Sequence, residues 1–214
     1  DNFASIVEGV REGRVVYANI RKVIFHFISI GMAEILLFLL AIAFGLPMPL
    51  TTVQLLWLNM VTGSLQDLPL TLEKAEGNEL TKPPRPVKEP VFNRRMIERV
   101  VLNAVAIGLA SFAIFAWLLQ QGYAVEDARN IVLLLLVLFE NVQVLNSRSE
   151  TLSVFRHSLL SNPLLIGGMV LAQIIHIAAM YIPAFQGILE VKPVPLNVWG
   201  WLIAASVLLL CINE

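Results

Sequence analysis

Four stretches of almost uninterrupted apolar sequence, near 23–45, 100–119, 131–139 and 164–182, constrain this chain more than any other feature. A bilayer core takes about 20 predominantly apolar residues per spanning helix. Inside hydrocarbon every backbone N–H and C=O must also be satisfied within the protein, which restricts spanning segments to helices or closed barrels. Composition points the same way. Hydrophobic residues make up 57% of the chain and charged residues only 14%, where a soluble domain carries about a quarter charged. The reading is an all-α, polytopic membrane bundle.

Six transmembrane segments are expected, at about 23–45, 51–72, 97–120, 128–145, 163–182 and 197–213. Residues 1–22 put Phe3, Ile6, Val7, Val10 and Val15 at helical spacing beside Glu8, Arg11, Glu12 and Arg14, the pattern of an amphipathic helix. No proline separates it from the first apolar run, so one long helix, half stalk and half span, is expected, ended by Gly45-Leu46-Pro47-Met48-Pro49. Segment 73–95 is polar and proline-rich and reads as a loop outside the membrane. Short loops are expected at 121–127, 146–162 and 183–196. The chain starts at Asp1 with no signal-peptide pattern, and it reads as a piece of a longer protein.

Orientation follows from lysine and arginine. Arg11, Arg14, Arg21 and Lys22 precede span one. Lys74, Lys82, Arg85, Lys88, Arg94, Arg95 and Arg99 surround the loop after span two, and Arg148 and Arg156 lie between spans four and five. Only Arg129 and Lys192 fall on the other side. Six spans with both ends cytoplasmic, in a cell membrane, satisfy this asymmetry. The net charge of −1 and the lack of a basic block give no sign of a nucleic-acid partner, and the single cysteine, Cys211, excludes a disulfide within the chain.

The chemistry lies in the carboxylates inside the expected spans. Glu34 falls midway along span one, Asp67 in the second half of span two and Glu140 in span four, with no Lys or Arg in the apolar runs of the spans to pair with them. An ionisable group at such depth costs several kcal/mol unless it is paired or coordinated. These carboxyls are therefore protonated or share a bound cation; carboxyls that merely tie helices together are the plainer alternative. In span two, Asn59, Thr62, Gln66 and Asp67 fall within an arc of roughly 140° at about 100° per residue. Oxygen-bearing side chains on one face suit a hard cation such as Ca²⁺. Gly63, Ser64 and Pro69 weaken the helix there, and unwinding at Gly63–Ser64 would offer backbone carbonyls as further ligands.

His26 and His176 also lie in apolar runs, where a lone histidine is more often a helix-bonding core residue than a ligand. Gln143 and Asn146 either line the cavity of Glu140 or end its span. Trp117, Trp199 and Trp201 fall near span ends and Trp57 deeper, as belt or packing residues. No Gly-rich phosphate loop and no nucleophile–base constellation occurs, so this stretch of chain does not hydrolyse ATP by itself.

Several segments resemble a known family. DNFASIVEGVREGRVVYANIRKVI is similar to the segment that leaves the phosphorylation domain of P-type cation-transporting ATPases and becomes their fifth transmembrane helix. LPMPLTTVQLLWLNMVTGSLQDLPLTLE resembles the approach to the sixth helix, KPPRPVKEPVF the cytoplasmic loop after it, and LFENVQVLNSRSE the eighth helix of calcium-pump relatives. The resemblance implies a bundle of the fifth to tenth transmembrane helices. The full protein would pump a cation, Ca²⁺ or another, including a monovalent one, by alternating access. Its implied partners are the lipid bilayer, the first four transmembrane helices, and phosphorylation, nucleotide and actuator domains that use ATP and Mg²⁺. By resemblance, Glu34, Asn59, Thr62 and Glu140 match cation-binding positions. Two departures stand out: Gly63 replaces an aspartate of the calcium pumps and Gly31 an asparagine. Asp67, four residues beyond Gly63, is expected with Gln66 to take the missing aspartate's place. A secondary cation transporter or cation:proton exchanger, without the internal repeat such folds often show, and a membrane scaffold are the alternatives.

Overall fold

In the computed structural model, residues 3–77, 79–81, 83, 91–149, 154 and 158–212 are described. Lys82, Arg85 and Lys88 of the expected loop, Arg156, and Asp1, Asn213 and Glu214 at the ends lie outside them. All regular structure among the described residues is helical. The elements are α1 (Phe3–Ala43), α2 (Thr52–Leu56), a π-helical segment (Trp57–Thr62), α3 (Gly63–Leu70), α4 (Arg94–Gln120), α5 (Val125–Asn146), a short 3₁₀ turn (Leu159–Ser161), α6 (Pro163–Tyr181), α7 (Pro183–Leu189) and α8 (Leu196–Ile212).

The long first helix runs unbroken for 41 residues, as its lack of proline predicts. It stops where expected, and the bonding shows how. Gly45 takes a left-handed φ of 66°, which allows Leu46 N–H to reach Ala41 O at 2.8 Å and Gly45 N–H to reach Ile42 O at 3.0 Å. That pair of bonds is a Schellman termination, and it requires a residue at ease with positive φ. After Pro47 and Pro49 the chain re-enters through Thr51, whose hydroxyl and backbone N–H exchange hydrogen bonds with Gln54 in a capping box.

Two expectations are corrected here. The second segment does not unwind at Gly63–Ser64, because those residues begin a regular α-helix. The irregularity comes one turn earlier, as the wide π turns of Trp57–Thr62. There Asn59 Nδ2 donates to Leu55 O at 3.1 Å and Thr62 Oγ1 to Leu58 O at 2.8 Å. Side chains that bond the carbonyl four residues back compete with the α-helical N–H, and Gly63 N–H closes on Leu58 O, five residues back. The expected loop 183–196 likewise contains a helix, α7, started by Pro183 in the first turn, where a missing N–H costs nothing.

By length and composition α1, α4, α5 and α6 can cross a membrane, and α8 is a shorter apolar helix. α5 is the central one: 72% of its most apolar stretch is buried, against 33–39% for the other three. Leu133 to Val137 sit in one core with Leu37 of α1, Leu58 of the π segment, Ile107 of α4 and Leu202 of α8. α3 and α6 touch closely at Gly168, where an added Cβ would stand 2.1 Å from Leu65 O; any side chain there would push the two helices apart.

At the arginine-rich end of the bundle a buried polar network ties the helices together. Arg148 meets Glu73 through two bonds, Nη2 to Oε1 at 2.8 Å and Nε to Oε2 at 3.2 Å. Asn162 Nδ2 donates to Glu73 Oε2 and to Pro69 O, both at 3.0 Å. Asn19 Nδ2 donates to Thr71 O and Glu73 O, and Ser149 Oγ to Glu76 Oε1. Burial pushes the Glu73 carboxyl up, but the hydrogen bonds and charge of Arg148, the Asn162 bond and the charge of Lys22 together bring it below its ordinary value. Arg148, expected as a loop cation, is thus a buried structural residue.

Candidate cation site

Glu34 and Glu140 come from two helices that flank the π segment. Glu34 on α1 is 6% exposed and Glu140 on α5 is 2% exposed. Asn59 Nδ2 lies 3.0 Å from both Oε1 and Oε2 of Glu34, and Thr62 Oγ1 lies 2.7 Å from Oε2 of Glu140. One turn of wide helix therefore holds a carboxylate on either side, through two side chains that also engage the carbonyls of Leu55 and Leu58. Two carboxylates, an amide and a hydroxyl thus lie around this one turn in an apolar bundle. That donor set is the one a hard cation takes. Among the described residues no group of three or more His, Cys, Asp or Glu is placed to hold a metal ion, so the candidate site consists of two carboxylates with the amide and hydroxyl between them.

Gly63 borders the same space. A Cβ added to it would stand 3.5 Å from Glu140 Oε1 and 3.3 Å from Leu58 O, so an acidic side chain at this position would enter the Thr62–Glu140 contact. Gly31 has no neighbouring atom within 4 Å of such a Cβ.

The remaining expected residues are not all brought together with this group. Gln66, one turn beyond Thr62, is fully buried, with neither amide atom bonded. Gln143 and Asn146 on α5 are in the same condition. Thr62 meets Glu140, and Leu70 and Val144 share one buried cluster with Leu165, so Gln66 and Gln143 both fall in sequence between these two levels. Buried amide groups without partners cost about 1–3 kcal/mol each, so this level of the bundle is suited to water or an ion. Asp67 turns away to α1, its Oδ1 lying 2.7 Å from His26 Nδ1. Sequence reasoning reads His26 as a core residue; the available signal is its place two turns before Glu34, on an apolar helix that also faces Asp67. His176 accepts from Trp57 Nε1 at 3.2 Å, and the half-buried Trp57 also packs on Phe185 of α7.

An all-helical membrane bundle with carboxylates set around a π-helical break defines the class of the protein. The chain belongs to the family described as "Cation transporting ATPase, C-terminus", matched over residues 47–214. It is 34% identical over 207 residues to the "Calcium-transporting ATPase" of Bacillus subtilis (strain 168), covering 96% of this chain and 23% of that protein. To the "Probable cation-transporting ATPase F" of Mycobacterium tuberculosis H37Rv it is 32% identical over 206 residues, again 96% of this chain and 23% of the relative. To "Calcium-transporting ATPase 1" of Bacillus cereus it is 29% identical, covering 100% and 26%. The chain spans about a quarter of the length of these relatives.

Proposed function

We propose that this chain is the cation-binding membrane portion of an ATP-driven pump for Ca²⁺ or another cation, with Glu34, Asn59, Thr62 and Glu140 as the ligands. The observation that carries the reading is the pairing of Asn59 with Glu34 and of Thr62 with Glu140 across the π segment. Gln66 and Asp67 stand one turn further along. ATP and Mg²⁺ act in cytoplasmic domains outside this chain, and the first four transmembrane helices complete the bundle.

The bonding also supports a cycle between bound cation and bound proton. Thr62 Oγ1 has a single proton and two acceptors in reach, Leu58 O at 2.8 Å and Glu140 Oε2 at 2.7 Å. A protonated Glu140 donates the second bond, and a cation replaces that proton when it binds. Residues 3–22 of α1 form the cytoplasmic stalk, which carries motion of the phosphorylation domain toward Glu34. All six segments span the membrane, with the arginine-rich end in the cytoplasm. The test is phosphorylation of the full-length protein by ATP across a panel of cations. Glu34→Gln and Glu140→Gln should each remove the dependence on the transported cation; full retention in both would sink the reading.

A further inference from the structure

We infer that His26 is a positioning residue for cation selection: it holds Asp67 away from the site and so limits the site to two carboxylates. The inference rests on the cation-site reading above and deepens it. Asp67 is one α-helical turn beyond Gly63, about 6 Å along the axis and roughly 40° around it. The Gly63 position borders Glu140 directly, so Asp67 is the acidic group best placed to enter that space. Its Oδ1 instead accepts from His26 Nδ1 at 2.7 Å, and His26 is only 2% exposed, its ring enclosed between helices. A hydrogen bond to a carboxylate is among the stronger kinds, although the Asp67 side chain is itself 20% exposed.

His26 precedes Glu34 by eight residues, about 12 Å along α1 at 1.5 Å per residue. The pair therefore forms a separate tier nearer the arginine-rich end. Four charged groups on the elements around it are already engaged. Lys22, one turn earlier on α1, bonds Asn19 and approaches Glu76. Arg99 of α4 donates to Asn146 O and Ser149 O with its guanidinium over Phe25. On α5, Glu140 meets Thr62 and Arg148 meets Glu73. His26 is thus the residue that anchors Asp67.

Oxygen-ligand sites are tuned by how many charged ligands they present. With Asp67 tied to α1 the site offers Glu34 and Glu140. Freed, Asp67 adds a third carboxylate one turn away, which favours a divalent over a monovalent cation.

The experiment uses the full-length protein and reads phosphorylation by ATP against free Ca²⁺, with Na⁺ as competitor. His26→Leu should lower the Ca²⁺ concentration for half-maximal phosphorylation by about tenfold, the scale on which outer residues tune metal sites, and weaken competition by Na⁺. His26→Gln, which keeps a donor, should behave as the unaltered protein. His26→Leu combined with Asp67→Asn should lose the shift. Asp67→Asn alone should move the Ca²⁺ dependence far less than Glu34→Gln does. An unshifted His26→Leu, or an equal shift with and without Asp67, would overturn the inference. So would an Asp67→Asn defect as large as that of Glu34→Gln, which applies even if the histidine variants do not fold. If Glu34→Gln abolishes Ca²⁺ dependence while His26→Leu does nothing, the site stands and only this inference falls. If Glu34→Gln has no effect, both fall.

Discussion

Arg148 and Glu73 face each other through two hydrogen bonds, with the two side chains 2% and 3% exposed. They lie 75 residues apart in sequence and join the end of α5 to the segment that follows α3. Removing one partner of such a pair leaves an uncompensated buried charge, which costs about 3–5 kcal/mol. Arg148→Met should therefore lower thermal stability in detergent sharply, and Arg148→Met with Glu73→Leu should recover part of the loss. Equal melting of Arg148→Met and the unaltered protein would contradict this role.

The same pair fixes a pH dependence. The Glu73 carboxyl is held below its ordinary value in the folded protein, so its contribution is complete above the ordinary carboxylate range. It fades as pH falls through that range and vanishes below the lowered folded value. Stability measured from neutral pH downward should drop more steeply for the unaltered protein than for Glu73→Gln.

Gly63→Asp tests the space beside Glu140. Its carboxylate would enter within contact range of Glu140 Oε1, given a Cβ at 3.5 Å. The expected result is tighter Ca²⁺ binding in the full-length protein, together with a lower melting temperature without cation, because two carboxylates then repel in a low dielectric. Unchanged Ca²⁺ dependence would place Gly63 outside the site.

Gly168→Ala should destabilise the bundle by about 1–3 kcal/mol, the usual cost of overpacking, since its Cβ would overlap Leu65 O on α3. Gly167→Ala, with nothing within 4 Å of its Cβ, serves as the comparison. Thermal unfolding in micelles reads both.

Much of the bundle, and the residues of its candidate site, are legible in the sequence for a physical reason. Carboxylates in apolar runs have few stable fates, so Glu34 and Glu140 stand out by hydropathy alone, and helical phase puts Asn59 and Thr62 on one face. The π turns are not legible. They depend on Asn59 and Thr62 bonding carbonyls four residues back, a competition that composition does not reveal; Gly63 and Ser64 point instead to the wrong turn. Asp67 shares the face of Thr62 by phase, yet its partner, 41 residues away on α1, is set by how two helices pack. Arg148 reads as a topological marker, although burial against Glu73 gives it a structural role.

The central claim is that Glu34, Asn59, Thr62 and Glu140 hold the transported cation. Equilibrium binding of ⁴⁵Ca²⁺ to the full-length protein tests it most directly, compared with Glu34→Gln and Glu140→Gln. Saturable binding that each substitution weakens by tenfold or more, on the order expected for loss of a charged metal ligand, is the predicted result. Saturable binding of undiminished affinity in both variants would contradict it.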